Sequence, residues 1–170
     1  MLKDRISDFE MKLLKAEVEK EASIITQESK KGQQKLIEIQ NDFLLYRKEV
    51  ISQSVGGLNI YQLTLTKRKC PNSKPYHKRK CMYISARLHA AETHGSVIMQ
   101  GILNELIKKA TRYEYILSNY VIKFVPMINT DGVTIGNSRS SLVGVDLNRR
   151  WAEPNKSIHP EIYFLKKIML

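Results

Sequence analysis

An α/β domain with a mixed sheet flanked by helices, preceded by an N-terminal helical hairpin or coiled coil, is the fold class this sequence predicts. Three observations predict it. Residues 1–51 repeat apolar side chains at helical spacing; from Leu58 onward short β-branched and aromatic runs are separated by a longer apolar helical stretch; and Gly, Asn, Asp and Pro stand at the junctions. A chain of 170 residues has room for one domain and an appendage, and a 42% hydrophobic content can furnish a core.

In the first segment Leu2, Ile6, Phe9 and Leu13 recur at helical intervals, Leu14, Val18, Ala22 and Ile25 continue them, and Leu36, Ile39, Phe43, Tyr46 and Val50 resume the pattern. Between the two sets, Thr26 to Lys35 holds no apolar member, and Gly32 weakens a helix by about 1 kcal/mol relative to alanine. The pattern suits a helical hairpin or an interrupted coiled coil. With no proline before Pro71, one long helix with a weak centre also satisfies it. A helical partner is expected to pack on residues 1–51.

A second domain is expected over residues 52–170. Ser54-Val-Gly-Gly breaks the helical pattern, and Leu58 to Thr66 alternates as a strand. Lys67 to Lys80 is a basic loop with two prolines, in which His77 reads as a solvated residue. Cys81 to Leu88 returns as a buried strand, expected to pair with the first across that loop. Gly95 to Lys109 reads as a helix that is apolar almost all round, and so as buried against the sheet. Tyr120 to Met127 is the next strand. Asn129-Thr-Asp-Gly132 reads as a turn whose glycine permits positive φ, and Pro160 as the first residue of a last helix, with His159 at its start. That helix ends on Ile168, Met169 and Leu170 without a polar cap, so the domain is expected to be cut in mid-structure.

Charge is divided unevenly. The first fifty residues hold ten Lys or Arg and ten Asp or Glu, so the remaining 18 basic and 7 acidic residues carry the whole net charge of +11. Such a field draws polyanions. No nucleic-acid-binding motif accompanies it, so an acidic peptide or protein tail is the expected partner and nucleic acid is not. No apolar run reaches the ~18 residues of a membrane span, and the N-terminus lacks the layout of a signal peptide, which predicts a cytoplasmic protein with no membrane contact. Cys70 and Cys81 match no metal or redox spacing and are expected to be free thiols.

The chemistry concentrates in two stretches. In Arg87-Leu-His89-Ala-Ala-Glu92-Thr-His94-Gly95, a histidine and a carboxylate stand three residues apart where a strand gives way to a helix. Imidazole nitrogen and carboxylate oxygen are both zinc donors, and a catalytic zinc takes three protein ligands while leaving a fourth position open. His89 and Glu92 would supply two of the three. His94 is expected to be exposed at the helix start. The second stretch runs from Phe124-Val-Pro-Met-Ile-Asn-Thr-Asp131-Gly132 through Gly136-Asn-Ser-Arg139 to Val145-Asp146-Leu-Asn148-Arg149-Arg150-Trp151.

Read together, the two stretches resemble the M14 metallocarboxypeptidases, and within them the cytosolic carboxypeptidases that trim glutamates from tubulin tails. The resemblance covers about residues 56–170. It implies a carboxypeptidase-like mixed sheet, zinc as cofactor on His89 and Glu92, Asn148 and Arg149 gripping the substrate's terminal carboxylate, and Arg139 stabilising the charge that develops on the scissile carbonyl. A planar guanidinium suits the first role, because it binds a carboxylate through two parallel bonds that lysine cannot copy, and a fixed cation beside the carbonyl oxygen suits the second, because it stabilises the transition state more than the ground state. It further implies tubulin among the substrates, and a location near microtubules or cilia. The chain departs from the family in three ways. A helical pattern stands where a β-sandwich is usual, Thr130 and Ala90-Ala91 stand where the family has prolines, and no residue matches the third zinc ligand or the general-base glutamate. The expectation is a truncated, inactive carboxypeptidase domain; the other reading is a non-catalytic protein that holds an acidic tail.

Overall fold

The structure, a computed structural model, describes residues 43–68 and 74–170. The periodic apolar positions from Leu2 to Ile39, and Cys70 with Pro71, lie outside the described residues.

Four strands form one mixed sheet in the order β1-β2-β4-β3: β1 Leu44–Gln53, β2 Asn59–Lys67, β3 Lys80–Ser85 and β4 Tyr120–Val125. The helices are α1 Thr93–Lys108, α2 Glu114–Asn119, α3 Thr130–Ile135 and α4 Pro160–Met169, with short 3-10 turns at Tyr76–Lys78 and Leu147–Arg149. This is the mixed α/β architecture expected. Among the described residues no helix is long and apolar enough to cross a membrane.

The helical reading of Phe43, Tyr46 and Val50 is corrected. Leu44–Gln53 is a strand that crosses the expected boundary at residue 51 and pairs antiparallel with β2, with an irregularity between Val50 and Ser52. Three-four spacing is compatible with a strand when the pairing partner supplies the neighbours. Val50 lies opposite Tyr61 and Tyr46 opposite Leu65, the kind of aromatic and β-branched cross-strand pairs that stabilise a sheet. The Ser54-Val-Gly-Gly breaker is the hairpin turn between the two strands, closed by hydrogen bonds from Ser54 N–H to the Leu58 carbonyl (2.8 Å) and from Gly57 N–H to the Ser54 carbonyl (3.0 Å).

The expected pairing of β2 with β3 is also corrected, because β4 lies between them, antiparallel to β2 and parallel to β3. Parallel neighbours need a long crossover, and α1 and α2 provide it. The loop before β3 is tied down by Arg79, which is buried and donates to Thr66 Oγ1 (2.7 Å), the Leu117 carbonyl (3.3 Å) and the Lys74 carbonyl (2.9 Å). His77 is exposed, as expected, and Cys81 is an exposed free thiol.

Successive strand residues point to opposite faces, so the sheet has two cores. On one face Leu65, Ile122 and Phe124 pack with Met99, Leu106, Ala110 and Leu117 from the crossover. On the other, Ile60 and Val125 pack with Ile128, Leu147, Ile162 and Leu165. Helix α1 is less buried than its composition implies: Met99 and Leu106 are buried, whereas Val97 and Ile98 are 69% and 57% exposed. A helix on one face of a sheet buries one stripe only.

The second core is braced by buried polar groups. Asp131, 3% exposed, accepts from Ser54 Oγ (2.6 Å) and from Gly56 N–H (2.9 Å), which joins the β1–β2 turn to α3. The expected turn at Asn129–Gly132 is instead the start of α3, with Asn129 as the cap accepting from Gly132 N–H (2.9 Å). Gly132 does not have positive φ; a Cβ there would lie 2.6 Å from the Asn129 amide and the Ser140 carbonyl. Close approach is what requires glycine. Pro160 is the first residue of α4, as expected, and His159 is its N-cap.

Glu161, on the first turn of α4, is 2% exposed, and neither carboxyl oxygen has a hydrogen-bond partner. Burial is the main cause that pushes its pKa up to about 7, and the neighbouring Asp131 charge adds to it; the nearby Val55 and Glu161 N–H groups, neither of which completes a hydrogen bond, relieve it only in part. The helix N-terminus favours a carboxylate, but desolvation wins.

Two outcomes are expected. The raised folded-state pKa means that Glu161 contributes stability below its unfolded value near 4.5, and that this contribution is lost as pH rises to about 7. Glu161→Gln should remove that slope and stabilise the protein at pH 8 by about 1–3 kcal/mol, read by urea unfolding across pH 4 to 8. Gly132→Ala should cost about 2 kcal/mol or more in the same assay, because the close contacts are to a helix cap and a backbone carbonyl.

Candidate metal and carboxylate site

Strand β3 ends at Ser85, and the chain then turns sharply before α1. The turn is held to β4 and to the segment after it: Ala86 N–H donates to the Val125 carbonyl (3.0 Å), Ile128 N–H to the Ala86 carbonyl (3.1 Å) and Asn129 N–H to the Arg87 carbonyl (3.0 Å). Arg87 adopts φ 55°, a left-handed conformation that costs a side-chain-bearing residue about 1–2 kcal/mol. His89 and Glu92 follow on the turn, with Glu92 as the N-cap residue of α1.

His89 is buried, and its ring lies between two carboxylates. Nδ1 is 3.0 Å from Glu92 Oε1, and Nε2 is 3.1 Å from Asp146 Oδ1. A neutral imidazole donates from one nitrogen only: with the proton on Nδ1 it bonds Glu92, and with the proton on Nε2 it bonds Asp146 and leaves the Nδ1 lone pair for a metal. A histidine anchored by a carboxylate on one nitrogen presents the other in a fixed orientation, which is the arrangement a metal-binding imidazole needs. Hydrogen bonding to His89 is the main cause that lowers the Glu92 pKa below its ordinary value, with the charges of His89, His94 and Arg139 adding to it. His94 is exposed, as expected.

Asp146 is where the other site residues meet. Its Oδ1 also accepts from Asn148 N–H (2.9 Å), and its Oδ2 accepts from Arg139 Nε (2.8 Å) and faces Arg149 Nε at 3.7 Å. Desolvation is the largest single influence on the Asp146 carboxyl and raises its pKa. The Asn148 amide, Arg139 and His89 outweigh it and hold the pKa below the ordinary value. Trp151 Nε1 donates to Asn148 Oδ1 (3.2 Å), which orients the amide, and the indole packs on the second core. The side chains of Arg139 and Arg149 are 54% and 69% exposed, so both guanidiniums reach solvent beside the His89–Glu92 pair. Two cations share the Asp146 carboxylate, and with Glu92 the two guanidiniums and two carboxylates of the cluster balance.

Of the five residues singled out in the sequence, His89, Arg139, Asn148 and Arg149 thus meet on Asp146, and Glu92 joins them through His89. Sequence reasoning assigned Asp146 no role. The available signal was local: Asp two residues before Asn is a side-chain cap for a short turn, and such a carboxylate has a second oxygen to offer. Arg87 gave no signal, since its distinction is a backbone angle. Among the described residues no group of three or more His, Cys, Asp or Glu side chains forms a metal cage.

A sequence profile described as zinc carboxypeptidase matches residues 38–162. Cytosolic carboxypeptidase 1 of Danio rerio is 36% identical over 140 residues, which is 80% of this chain and 12% of the relative. Cytosolic carboxypeptidase 6 of Mus musculus is 34% identical over 123 residues, 72% of this chain and 22% of the relative. The chain therefore spans a small fraction of these relatives. Among solved structures, the metallo-carboxypeptidase from Pseudomonas aeruginosa in complex with (2-guanidinoethylmercapto)succinic acid superposes with a TM-score of 0.62 at 28% identity, over 81% of this chain and 35% of that one. The metallo-carboxypeptidase from Burkholderia cenocepacia shares the fold with a TM-score of 0.65 at 23% identity, over 79% of this chain and 35% of that one.

His89→Ala should remove the main cause of the lowered Glu92 pKa and return that carboxyl towards its ordinary value. NMR titration of the Glu92 side chain in the metal-free protein checks this, and an unchanged midpoint would mean that the His89–Glu92 contact does not form.

Proposed function

This chain belongs to the zinc carboxypeptidase family, and we propose that it carries the zinc-ligand pair and the carboxylate clamp of a peptidase acting on acidic C-terminal tails. The observation that carries the reading is the convergence of His89, Arg139, Asn148 and Arg149 on Asp146, with Glu92 on the opposite nitrogen of the His89 ring.

The donor set fits zinc in part. His89 Nδ1 and a Glu92 oxygen face each other, and Asp146 occupies the far nitrogen of the imidazole. These two would hold the metal, which when bound supplies a Lewis acid and lowers the pKa of its water to about 7. The described residues offer no third ligand. Each missing donor weakens binding, so zinc held by this chain alone is weak and peptide hydrolysis is not expected from it.

The remaining residues act on the substrate. Arg149 and Asn148 are adjacent in one 3-10 turn, a guanidinium and an amide that together suit a terminal carboxylate. Arg139, on the loop facing them, offers a cation to charge developing on a carbonyl oxygen. Arg139 is hydrogen-bonded to Asp146, and Arg149 faces the same carboxylate at 3.7 Å. The excess of 18 basic over 7 acidic residues after residue 50 supports a glutamate-rich tail, with tubulin as the candidate suggested by resemblance. The names of the relatives support a cytosolic location, and association with microtubules or cilia belongs to the same proposal. The absence of a third ligand among the described residues favours a second reading, capture of the acidic tail without cleavage.

A peptide ending in several glutamates, followed by calorimetry and by assay for released glutamate, tests both. Binding should weaken as salt rises, and C-terminal amidation or Arg149→Ala should each remove about 1.5–3 kcal/mol more. Zinc-dependent release of glutamate that His89→Ala abolishes would show a complete site in this chain. Binding that ignores both amidation and Arg149→Ala would overturn the carboxylate clamp.

A further inference from the structure

The turn that presents His89 and Glu92 contains Arg87, the one non-glycine residue with positive φ among those described, at 55°. A side-chain-bearing residue stays in such a conformation only where its surroundings over-determine it, and isolated strained residues of this kind concentrate at functional sites. Here the surroundings act from two sides. The Arg87 carbonyl accepts from Asn129 N–H (3.0 Å), the cap residue of α3, and Arg87 Nη1 donates to Ser96 Oγ (3.2 Å) on the first turn of α1. The Arg87 backbone also lies close against that turn, since a Cβ on Gly95 would sit 3.8 Å from the Arg87 nitrogen. Arg87 therefore spans the bend, joined through its backbone to the side that leads to Asp146 and through its side chain to the helix that begins at Glu92.

We propose that Arg87 is a positioning residue for the His89–Glu92 pair: its left-handed backbone and its hydrogen bond to Ser96 hold the strand end and the start of α1 at the angle that brings the two donors together. The proposal rests on the reading of His89 and Glu92 as metal ligands. Glycine at position 87 would accept the same φ without strain but would lose the link to Ser96 and leave the bend free to relax. Thermal stability and metal affinity should thus part, the first kept or raised and the second lowered, which a residue serving stability alone would not produce.

The test is zinc titration of the 170-residue chain, by competition with a chromophoric chelator, together with thermal unfolding of the metal-free protein. Arg87→Gly should weaken zinc about 10- to 100-fold, the range for groups that orient metal ligands, while its thermal midpoint stays at or above that of the parent. Ser96→Ala, which leaves the backbone untouched, should weaken zinc in the same direction by a smaller factor, and Arg87→Lys, which keeps a donor, should recover part of the affinity lost with glycine. Parent-like zinc affinity in Arg87→Gly overturns the proposal, and so does a loss of affinity matched by a lowered thermal midpoint with Ser96→Ala unaffected. Zinc binding by the parent that does not depend on His89 overturns the ligand reading and this proposal together, whereas His89-dependent binding with an unaffected Arg87→Gly overturns this one alone.

Discussion

The Asp146 carboxylate is the point on which the geometry of the site depends. One oxygen takes the far side of the His89 ring and the amide of Asn148; the other takes Arg139 and faces Arg149. A single side chain on a connecting segment thereby joins the turn after β3, the loop carrying Arg139 and the 3-10 turn carrying Asn148 and Arg149. The bond to His89 is made from a buried ring, whereas the two arginines are more than half exposed, so each arginine contact adds little stability. What these contacts supply is orientation. A guanidinium already aligned loses less side-chain freedom when an anion arrives.

A second carboxylate, Asp131, does the corresponding work for the scaffold. By accepting from Ser54 and Gly56 it joins the β1–β2 turn to α3, the helix that follows the backbone contact between Asn129 and Arg87. The close packing there leaves no room for a side chain at Gly132. It also places Glu161 beside Asp131 without a partner for either carboxyl oxygen. A buried carboxyl without a partner favours its neutral form, so this corner of the second core is more stable when Glu161 is protonated.

The family likeness and the site geometry agree on what this chain contributes. The zinc carboxypeptidase match spans residues 38–162, and both candidate metal donors and all three candidate substrate-binding or charge-stabilising residues lie within it. The described residues nonetheless offer two candidate metal donors where a catalytic zinc takes three. The proposed recognition of a terminal carboxylate would call on Asn148 and Arg149, whereas hydrolysis would need a full set of metal ligands.

Much was settled by the sequence alone. The alternation of Leu58 to Thr66, the apolar run from Cys81, the helix that follows it and Pro160 at the start of the last helix are local signals, and each corresponds to an element at nearly the expected place. The candidate metal donors His89 and Glu92 were named from residue type and short spacing, whereas Arg139, Asn148 and Arg149 were named from the resemblance of the two motifs to a family. Tertiary structure decided the rest. Tyr46 and Val50 satisfy helical spacing, yet their segment is a strand because β2 lies alongside it, and no local pattern reports a neighbour across a hairpin. β4 separates β2 from β3 because the crossover returns between them, an outcome of sheet topology that periodicity does not encode. Asp146 became the hub, and Arg87 took up its left-handed backbone, only once segments distant in the chain met, since a hydrogen bond over 57 residues and a strained turn held from two sides are properties of the assembled fold.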